Sequence, residues 1–279
     1  MNQQSPGVAR RRTVWEVVIV LGLSLGASAI WSLLSLADRL TRGESLGSQT
    51  ASLNTSASAN PWIDVFYQVA EALVLSVPAL LALYLLTNLR PALTGGHQAL
   101  TDSITSIEAD GGSNPLSGGA RLIGLTFGRP WPDLVWAVIL AAGIGLPGIG
   151  LYLAGRALGF TVEISTEGLG GYWWAVPVLI LAALKNGLVE EVVAVGYLGQ
   201  RLTELGWRPV HWIAASASLR GTYHLYQGFG PFFGNLVMGL VFAWFYQRTR
   251  RVMPLVVAHT LMDVVAFLGP WLIGPDWLS

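Results

Sequence analysis

The stretch from Tyr172 to Leu202, YWWAVPVLILAALKNGLVEEVVAVGYLGQRL, decides the fold of this chain. Its apolar residues continue for longer than the roughly 20 that a helix needs to cross a bilayer. Two adjacent glutamates, Glu190 and Glu191, lie inside it, away from either end. An ionised side chain at the centre of a bilayer costs about 2.5–3.5 kcal/mol on insertion scales, so such residues are functional candidates by default.

The composition places most of the chain in lipid as well. The sequence has 279 residues, of which 53% are hydrophobic and only 11% charged, against about 25% charged in soluble domains. The net charge of zero gives no sign of a nucleic-acid partner, and the lack of cysteine excludes disulfides and thiolate chemistry. Arginine supplies every basic residue except Lys185, which indicates a GC-rich genome and hence a bacterium.

Seven apolar segments predict an all-α fold, a polytopic membrane bundle of about seven to eight transmembrane helices. The segments are Val14–Leu36, Trp62–Leu86, Leu134–Leu158, Tyr172–Leu202, Pro209–Gln227, Phe232–Tyr246 and Val252–Ile273. An eighth helix arises if the fourth or last segment is broken, and we expect Gly187 to bend the fourth. A signal peptide is the competing interpretation of the first segment. Its apolar run continues beyond the small residues at 27–29, so we predict an uncleaved helix.

Loop charge predicts the orientation in the cell membrane. Arginines 10–12 place the N-terminus in the cytoplasm, and most other arginines then fall in cytoplasmic loops. Arg39 and Arg42 are the exception on the outer side. Residues 43–60 and 94–119 are polar and low in complexity, and we expect flexible surface loops there. We divide the chain into a two-helix N-terminal membrane part, residues 1–130, and a C-terminal membrane domain, residues 131–279, which holds every candidate site residue.

The segment from Gly143 to Gly148, GIGLPG, matches the dinucleotide-binding fingerprint literally. Its context excludes that function, because no strand precedes it and it lies within a predicted membrane helix. Glycines in membrane helices generally permit close helix packing, and proline permits a kink. We expect both here.

The two glutamates differ in the direction in which they point. Neighbours on a helix are about 100° apart around its axis, so Glu190 and Glu191 cannot both face one site equally. We expect one to face a cavity and the other to bind a structural partner. A pair of interfacial acids bonded to loop groups is the alternative.

His224 lies in the next apolar segment, with Arg220 one helical turn before it and on the same face. Tyr223, Tyr226 and Gln227 offer hydrogen-bonding groups beside it. Taken alone, the histidine is as well explained by a structural hydrogen bond to a backbone carbonyl.

His259 and Asp263, in the last segment, are four residues apart and so share one face of a helix. An aspartate there can hold the imidazole in one tautomer, although the two can also be a self-satisfied pair that packs helices. His97 and His211 lie in or beside loops and are assigned no function.

Three segments together therefore supply a carboxylate pair, a histidine, and a histidine with an acid. This set suits the activation of water: a carboxylate takes the proton, one histidine shares it, and the second histidine with its acid stabilises the oxyanion. Glu190, His224 and His259 are also a plausible zinc set with an open position for water. We predict that no cofactor is required, and a divalent metal such as zinc remains the alternative.

At these residues the chain resembles the CPBP family, the intramembrane endopeptidases that include CAAX proteases and bacteriocin-processing proteins. The family pattern is Glu-Glu-x-x-x-Arg, then Phe-x-x-x-His, then His-x-x-x-Asn/Asp. Here it falls at Glu190-Glu191, at His224, and at His259 with Asp263. The resemblance covers about Tyr172 to Phe267. It implies that Glu190 and His224 activate water, that His259 and Asp263 bind the oxyanion, and that Glu191 is supporting.

Two departures from the family pattern matter. Val195 stands where the arginine is expected, and Arg220 stands where the phenylalanine is expected. Our hypothesis is that Arg220 reaches across from the neighbouring helix and pairs with Glu191 in place of the missing arginine.

Three functions follow from these residues. The first is an endopeptidase that acts on a membrane-associated or lipidated peptide, or on a membrane protein, within the lipid bilayer. The second is an inactive scaffold or immunity-type protein of the same family, which Val195 favours. The third is a proton-coupled transporter, which the lack of internal repeats disfavours.

Overall fold

The computed structural model of the chain describes residues 6–87, 114–165, 169 and 172–273, without the side chains of residue 6 and of 270–273. The helices are α1 (Pro6–Gly22), α2 (Leu25–Thr41), α3 (Pro61–Leu86), α4 (Pro115–Leu122), α5 (Pro130–Ala157), α6 (Ala175–Glu190), α7 (Leu198–Glu204), α8 (Pro209–Tyr223), α9 (Phe229–Thr249) and α10 (Met253–Ile273). Two short strands, β1 (Thr50–Ser52) and β2 (Glu163–Ser165), pair in parallel. The predicted all-α fold is confirmed apart from these strands.

Several of the helices have the character of membrane spans. Among the described residues, α3, α5 and α9 are long and apolar enough to cross a bilayer, and α1 with α2 adds a fourth span if that bent pair is counted as one. The large apolar side chains of α3 and α5 cover the outside of the molecule, as expected of surfaces that face lipid. The total of seven to eight spans stays a prediction, because α6 and α8, with 16 and 15 residues, are shorter than a full span.

The first apolar segment is not the single helix that we expected. It is divided into α1 and α2, which meet at an angle of 50°. Ser24 separates them in a non-helical conformation, with φ −144° and ψ −121°. At Gly26 a Cβ would lie 2.7 Å from the backbone oxygen of Leu21, so the tight bend requires glycine there.

The fourth segment departs from an ordinary α-helix later than we expected. α6 runs through Gly187 to Glu190, and Glu191–Tyr197 then forms a π-helical turn that leads into α7. Gly187 serves close packing instead of a bend. A Cβ there would lie 2.6 Å from Thr260 Oγ1 and 2.9 Å from the backbone oxygen of Val256, so glycine brings α6 against α10.

Residues 43–60 are more ordered than the flexible loop that their composition predicts. Strand β1 pairs with β2, and Leu46 and Ala51 are buried in a small apolar cluster. Arg39 donates to the backbone oxygen of Thr50 at 3.3 Å. Arg39 lies on the side predicted to be outside, so a structural role for its charge accounts for the exception to the loop-charge rule. Of the second polar loop, 94–119, the described residues are 114–119, and from Pro115 they form the first turns of α4. The rest lies outside the described part of the chain.

A buried ion cluster ties the N-terminal helices to the end of the fourth segment. Arg201 is fully buried and pairs with Glu204 at 2.7 Å and with Glu16 of α1 at 3.3 Å. Its Nη2 also donates to the backbone oxygen of Leu85 in α3. This cluster gives Glu16, which the sequence left without a role, a place in the fold.

The helices that carry the glutamates and histidines form one packed group. α10 packs against α6 and α5, and α9 packs against α8. The N-terminal helices flank this group, α2 against α8 and α3 against α6. A single large core runs through these contacts and includes the whole π-helical turn except Glu191 and Gly196. The candidate residues therefore lie among helices supported from both sides.

We expect Gly187→Ala to destabilise the folded protein, because its Cβ would force α6 away from the backbone of α10. Overpacking of this kind typically costs about 1–3 kcal/mol. Thermal unfolding of the purified protein in detergent measures the effect. Gly150→Ala is the matched control, since no atom lies within 4 Å of a Cβ there. Equal midpoints for the two variants would contradict the assigned contact.

Candidate functional site

The π-helical turn sets the two glutamates apart. Glu190 is the last residue of α6 and Glu191 the first of the turn; π-helical turns of this kind are frequent at functional sites. Ser216 of α8 donates to the backbone oxygen of Ala194 at 2.6 Å and so bonds a carbonyl of the turn. The Glu191 side chain is fully buried, whereas that of Glu190 is 14% exposed.

Glu191 is held by two partners on two other helices. Its Oε1 accepts from Arg220 Nη2 at 2.6 Å and lies 2.7 Å from His259 Nδ1. The contact that we expected between Arg220 and Glu191 is therefore present in the structure. Because Glu191 is fully buried, these two partners are what compensate its charge.

Arg220 serves both glutamates at once. Its Nη1 lies 3.7 Å from Glu190 Oε2, and its guanidinium lies over the ring of Phe242, 5.6 Å from the centroid. Gly239 allows this arrangement, since a Cβ there would lie 2.7 Å from Ala217 Cα. The close approach of α9 and α8 thus encloses a fully buried arginine.

Glu190 reaches both histidines without bonding either directly. Its Oε2 lies 4.0 Å from His224 Nε2 and 3.9 Å from His259 Nε2. The same carboxylate accepts a hydrogen bond from the Tyr223 hydroxyl. Separations beyond 3.5 Å between polar groups are those that a bridging water spans.

His224 directly follows the last residue of α8 and precedes a 3₁₀ turn, Leu225–Gln227. Neither of its ring nitrogens has a hydrogen-bond partner within the part of the chain that the structure describes. The polar neighbours that we expected around it are engaged elsewhere: Tyr223 bonds Glu190, and Gln227 donates to the Tyr226 hydroxyl. The imidazole nitrogens of His224 are thus buried, with their hydrogen-bonding capacity unused by the described residues.

We expected Asp263 to orient the imidazole of His259. The structure shows Glu191 in that position instead. His259 Nδ1 is within hydrogen-bond distance of Glu191, whereas its Nε2 is 3.7 Å from Asp263 Oδ1. Asp263 instead accepts from Asn186 Nδ2 at 2.8 Å. Asn186 is a site residue that we did not predict. Its spacing of four from Glu190 places both on one face of α6, which is the signal that could have found it.

A metal ion is the alternative that we considered for Glu190, His224 and His259. Among the described residues, no group of three or more histidine and carboxylate side chains has an arrangement that could hold one. We therefore derive the chemistry of the site from acid, base and hydrogen-bonding groups alone.

A cavity of about 920 Å³ lies beside the histidines. Its polar lining includes His224, His259 and Asp263, and most of the rest is apolar side chains of α5, α9 and α10. Glu190 is not part of the lining and lies behind the two histidines. A substrate in this cavity would meet the histidines first, with the carboxylate beyond them.

The glycine-rich segment of α5 forms a wall of this cavity. The helix continues through Pro147 to Ala157. Gly143 and Gly148 line the cavity, and no atom lies within 4 Å of a Cβ built on either. Our expectation that they serve close helix packing is therefore wrong. Only Gly145 approaches a neighbour, with its Cβ position 3.5 Å from Met262.

Arg220→Phe restores the family's phenylalanine but leaves Glu191 without its guanidinium. We expect it to destabilise the protein by about 3–5 kcal/mol, the usual cost of an uncompensated buried charge. If Arg220 does the missing arginine's job, Val195→Arg combined with Arg220→Phe retains more folded protein than Arg220→Phe alone. The yield of monodisperse protein in detergent compares them. Equal losses in the single and double variants would refute the exchange of roles.

Comparison with known proteins bears on the same region. The family model described as Type II CAAX prenyl endopeptidase Rce1-like matches residues 172–265. No curated protein matches the chain, and no solved structure matches it. The matched residues begin just before α6 and include both glutamates, both histidines and Asp263. Residues 172–265, about a third of the chain, are therefore similar to the type II CAAX prenyl endopeptidases.

Proposed function

We propose that this protein is an intramembrane endopeptidase that hydrolyses a peptide bond with a water activated by Glu190 and His224. One observation carries the proposal. Glu190 Oε2 lies about equally far, 4.0 and 3.9 Å, from the Nε2 atoms of His224 and His259, and both rings line a cavity of about 920 Å³. A water held between these atoms would stand next to a substrate carbonyl in the cavity.

Glu190 acts as the general base in this proposal. Its carboxylate takes one proton from water, and the resulting hydroxide adds to the carbonyl carbon of the scissile bond. His224 Nε2 accepts a hydrogen bond from the same water and orients it. When the carbon–nitrogen bond breaks, the proton held by Glu190 passes to the leaving amine. One water is consumed, and one carboxyl end and one amino end are formed.

His259 stabilises the oxyanion that forms on the carbonyl. Its Nδ1 donates to Glu191, so its Nε2 carries a proton only when the ring is an imidazolium. Glu190 and Glu191 lie close to the ring, and their charges stabilise that cation. The protonated Nε2 then faces the cavity, where a donor for the oxyanion is needed.

The lining of the cavity supports a substrate that resides in or at the membrane. Apolar side chains and bare glycines surround it, which suits an apolar peptide segment or a lipidated peptide. We place the protein in the cell membrane with the N-terminus in the cytoplasm, on the arginine distribution given above.

A catalytically inactive scaffold of the same family is the second candidate, and Val195 is the observation that favours it. The position that carries arginine in the family pattern is apolar here and fully buried. The buried guanidinium of Arg220, bonded to Glu191, weakens that argument, because the glutamate pair still has a cation beside it.

Glu190→Gln tests the proposed function directly. Glutamine keeps an oxygen that can accept from Tyr223 but cannot take a proton from water, so we expect folded protein and a loss of about 10²–10⁴-fold in cleavage. The measurement compares peptide termini in membranes from cells that express the wild type or the variant at equal levels.

Asp38→Asn is the control, since Asp38 is exposed and forms an ion pair with nearby Arg42, away from the site; its termini should match the wild type. Identical termini from all three proteins, each folded and abundant, would favour the scaffold.

Asp263 supports His259 and accepts from Asn186, so an amide should replace it better than a methyl group. We expect Asp263→Asn to keep most of the activity, because its side-chain oxygen can still accept the Asn186 hydrogen bond. Asp263→Ala should lose about 10- to 100-fold in activity, the usual effect of removing a hydrogen-bonded residue beside a functional side chain, because Asn186 loses its acceptor next to His259. The loss should fall on kcat with KM unchanged. Equal activity in the two variants would exclude this positioning role.

A further inference from the structure

A second, smaller cavity of about 130 Å³ lies on another side of α6, facing α3. It shares no lining residue with the large cavity. Most of its lining is polar, with Asn54, Gln68, Glu71 and Lys185 among the residues that face it. Polar side chains between two membrane helices are costly without hydrogen-bonding partners, so this cavity suits a ligand that can form hydrogen bonds.

The small cavity has the size and the chemistry to hold water. About 10–15 Å³ of such volume is enough for one water molecule, so several fit into the space between α3 and α6. Asn54 Nδ2 is buried and has no hydrogen-bond partner among the described residues. Asn54 is held at φ 52°, in the left-handed region, where an asparagine is tolerated better than most residues. A buried amide without a protein partner is a group that water usually satisfies.

Lys185 connects this cavity to the glutamate and histidine site. It lines the cavity and interacts electrostatically with Glu71 there, and also with Glu190 and Asp263 in the site. The ammonium group is strongly hydrated and has three donors, so it can bond water on the cavity side while its charge acts on the site.

The residue after Lys185 belongs to the glutamate and histidine site. Asn186 donates to Asp263 at 2.8 Å, and Asp263 Oδ1 lies 3.7 Å from His259 Nε2. Glu190 Oε2 lies 3.9 Å from that nitrogen. Helix α6 thus carries polar side chains on two sides, Lys185 toward the small cavity and Asn186 with Glu190 toward the site.

The proposed reaction needs a supply of water. Each cleavage consumes one water, and the lining of the large cavity, in which we propose that the substrate binds, is mainly apolar. We infer that the small cavity between α3 and α6 is the water entrance of the site, with water as its ligand and Lys185 as the residue that holds it at the inner end. The inference rests on the proposed peptidase function.

The absence of cysteine from the chain allows a direct test with single-cysteine variants in membrane vesicles. Ala182→Cys places a thiol in the lining of the small cavity. Leu184→Cys is the control: it lies on the same helix at nearly the same depth, but its side chain faces outward, 48% exposed, where lipid covers it. The probe is a charged, membrane-impermeant methanethiosulfonate.

We expect Ala182→Cys to react and Leu184→Cys not to react, because the thiolate forms in water and not in lipid. After modification, Ala182→Cys should lose about tenfold or more in kcat with KM unchanged, because delivery of water and not binding of substrate is obstructed. Ala72→Cys, which lines the cavity from α3, gives a second reading if Ala182→Cys fails to fold.

The outcomes separate this inference from the proposed function. If the wild type cleaves its substrate but the cavity thiols stay unmodified, or are modified without a change in kcat, the water entrance is overturned and the peptidase stands. If the wild type produces no new termini, the peptidase function fails, and the inference fails with it.

Discussion

The pairing of Glu191 with Arg220 and His259 is the constraint on which the rest of the site depends. One carboxylate oxygen joins α8 and α10 to the π-helical turn that follows α6. The group is buried, so each partner compensates a charge that would otherwise be very costly in this environment. Through Arg220 the same contact reaches Glu190, and through His259 it fixes the nitrogen that faces the cavity. A shift of any of these three helices would therefore move the proposed base, Glu190, and the proposed oxyanion donor, His259, together.

Much of this site could be predicted from the sequence, because charged residues in apolar segments stand out against their surroundings. The order of Glu190, His224 and His259 is visible without coordinates, and so is the exchange of Val195 and Arg220 relative to the family. Asp263 was found, but its partner was not. A spacing of four places Asp263 on the same helix face as His259. The imidazole nevertheless contacts Glu191, which lies on another helical segment. A spacing within one helix cannot predict such a contact.

The features that sequence reasoning missed depend on what lies opposite a residue. Gly187 and Gly143 look alike in an apolar helix, but one meets the backbone of α10 and the other meets open space. The bend at Ser24 and the π-helical turn at Glu191 are likewise set by packing, since neither is forced by a proline. The ordered structure of residues 43–60 depends on Arg39 and on strand β2, which is more than a hundred residues away along the chain.

The proposed hydrolysis within a membrane needs a place for an apolar substrate and a source of water, and the structure has a separate space suited to each. An apolar space bounded by α5, α9 and α10 suits a substrate from the bilayer, and a polar space beside α3 suits water. Helix α6 lies between these two spaces. Lys185 faces the polar space, whereas Asn186 and Glu190 face the site. Their spacing on one helix means that a single rigid element fixes the distance between the proposed water entrance and the proposed base. This accounts for the four polar residues Lys185, Asn186, Glu190 and Glu191 in the middle of an otherwise apolar segment.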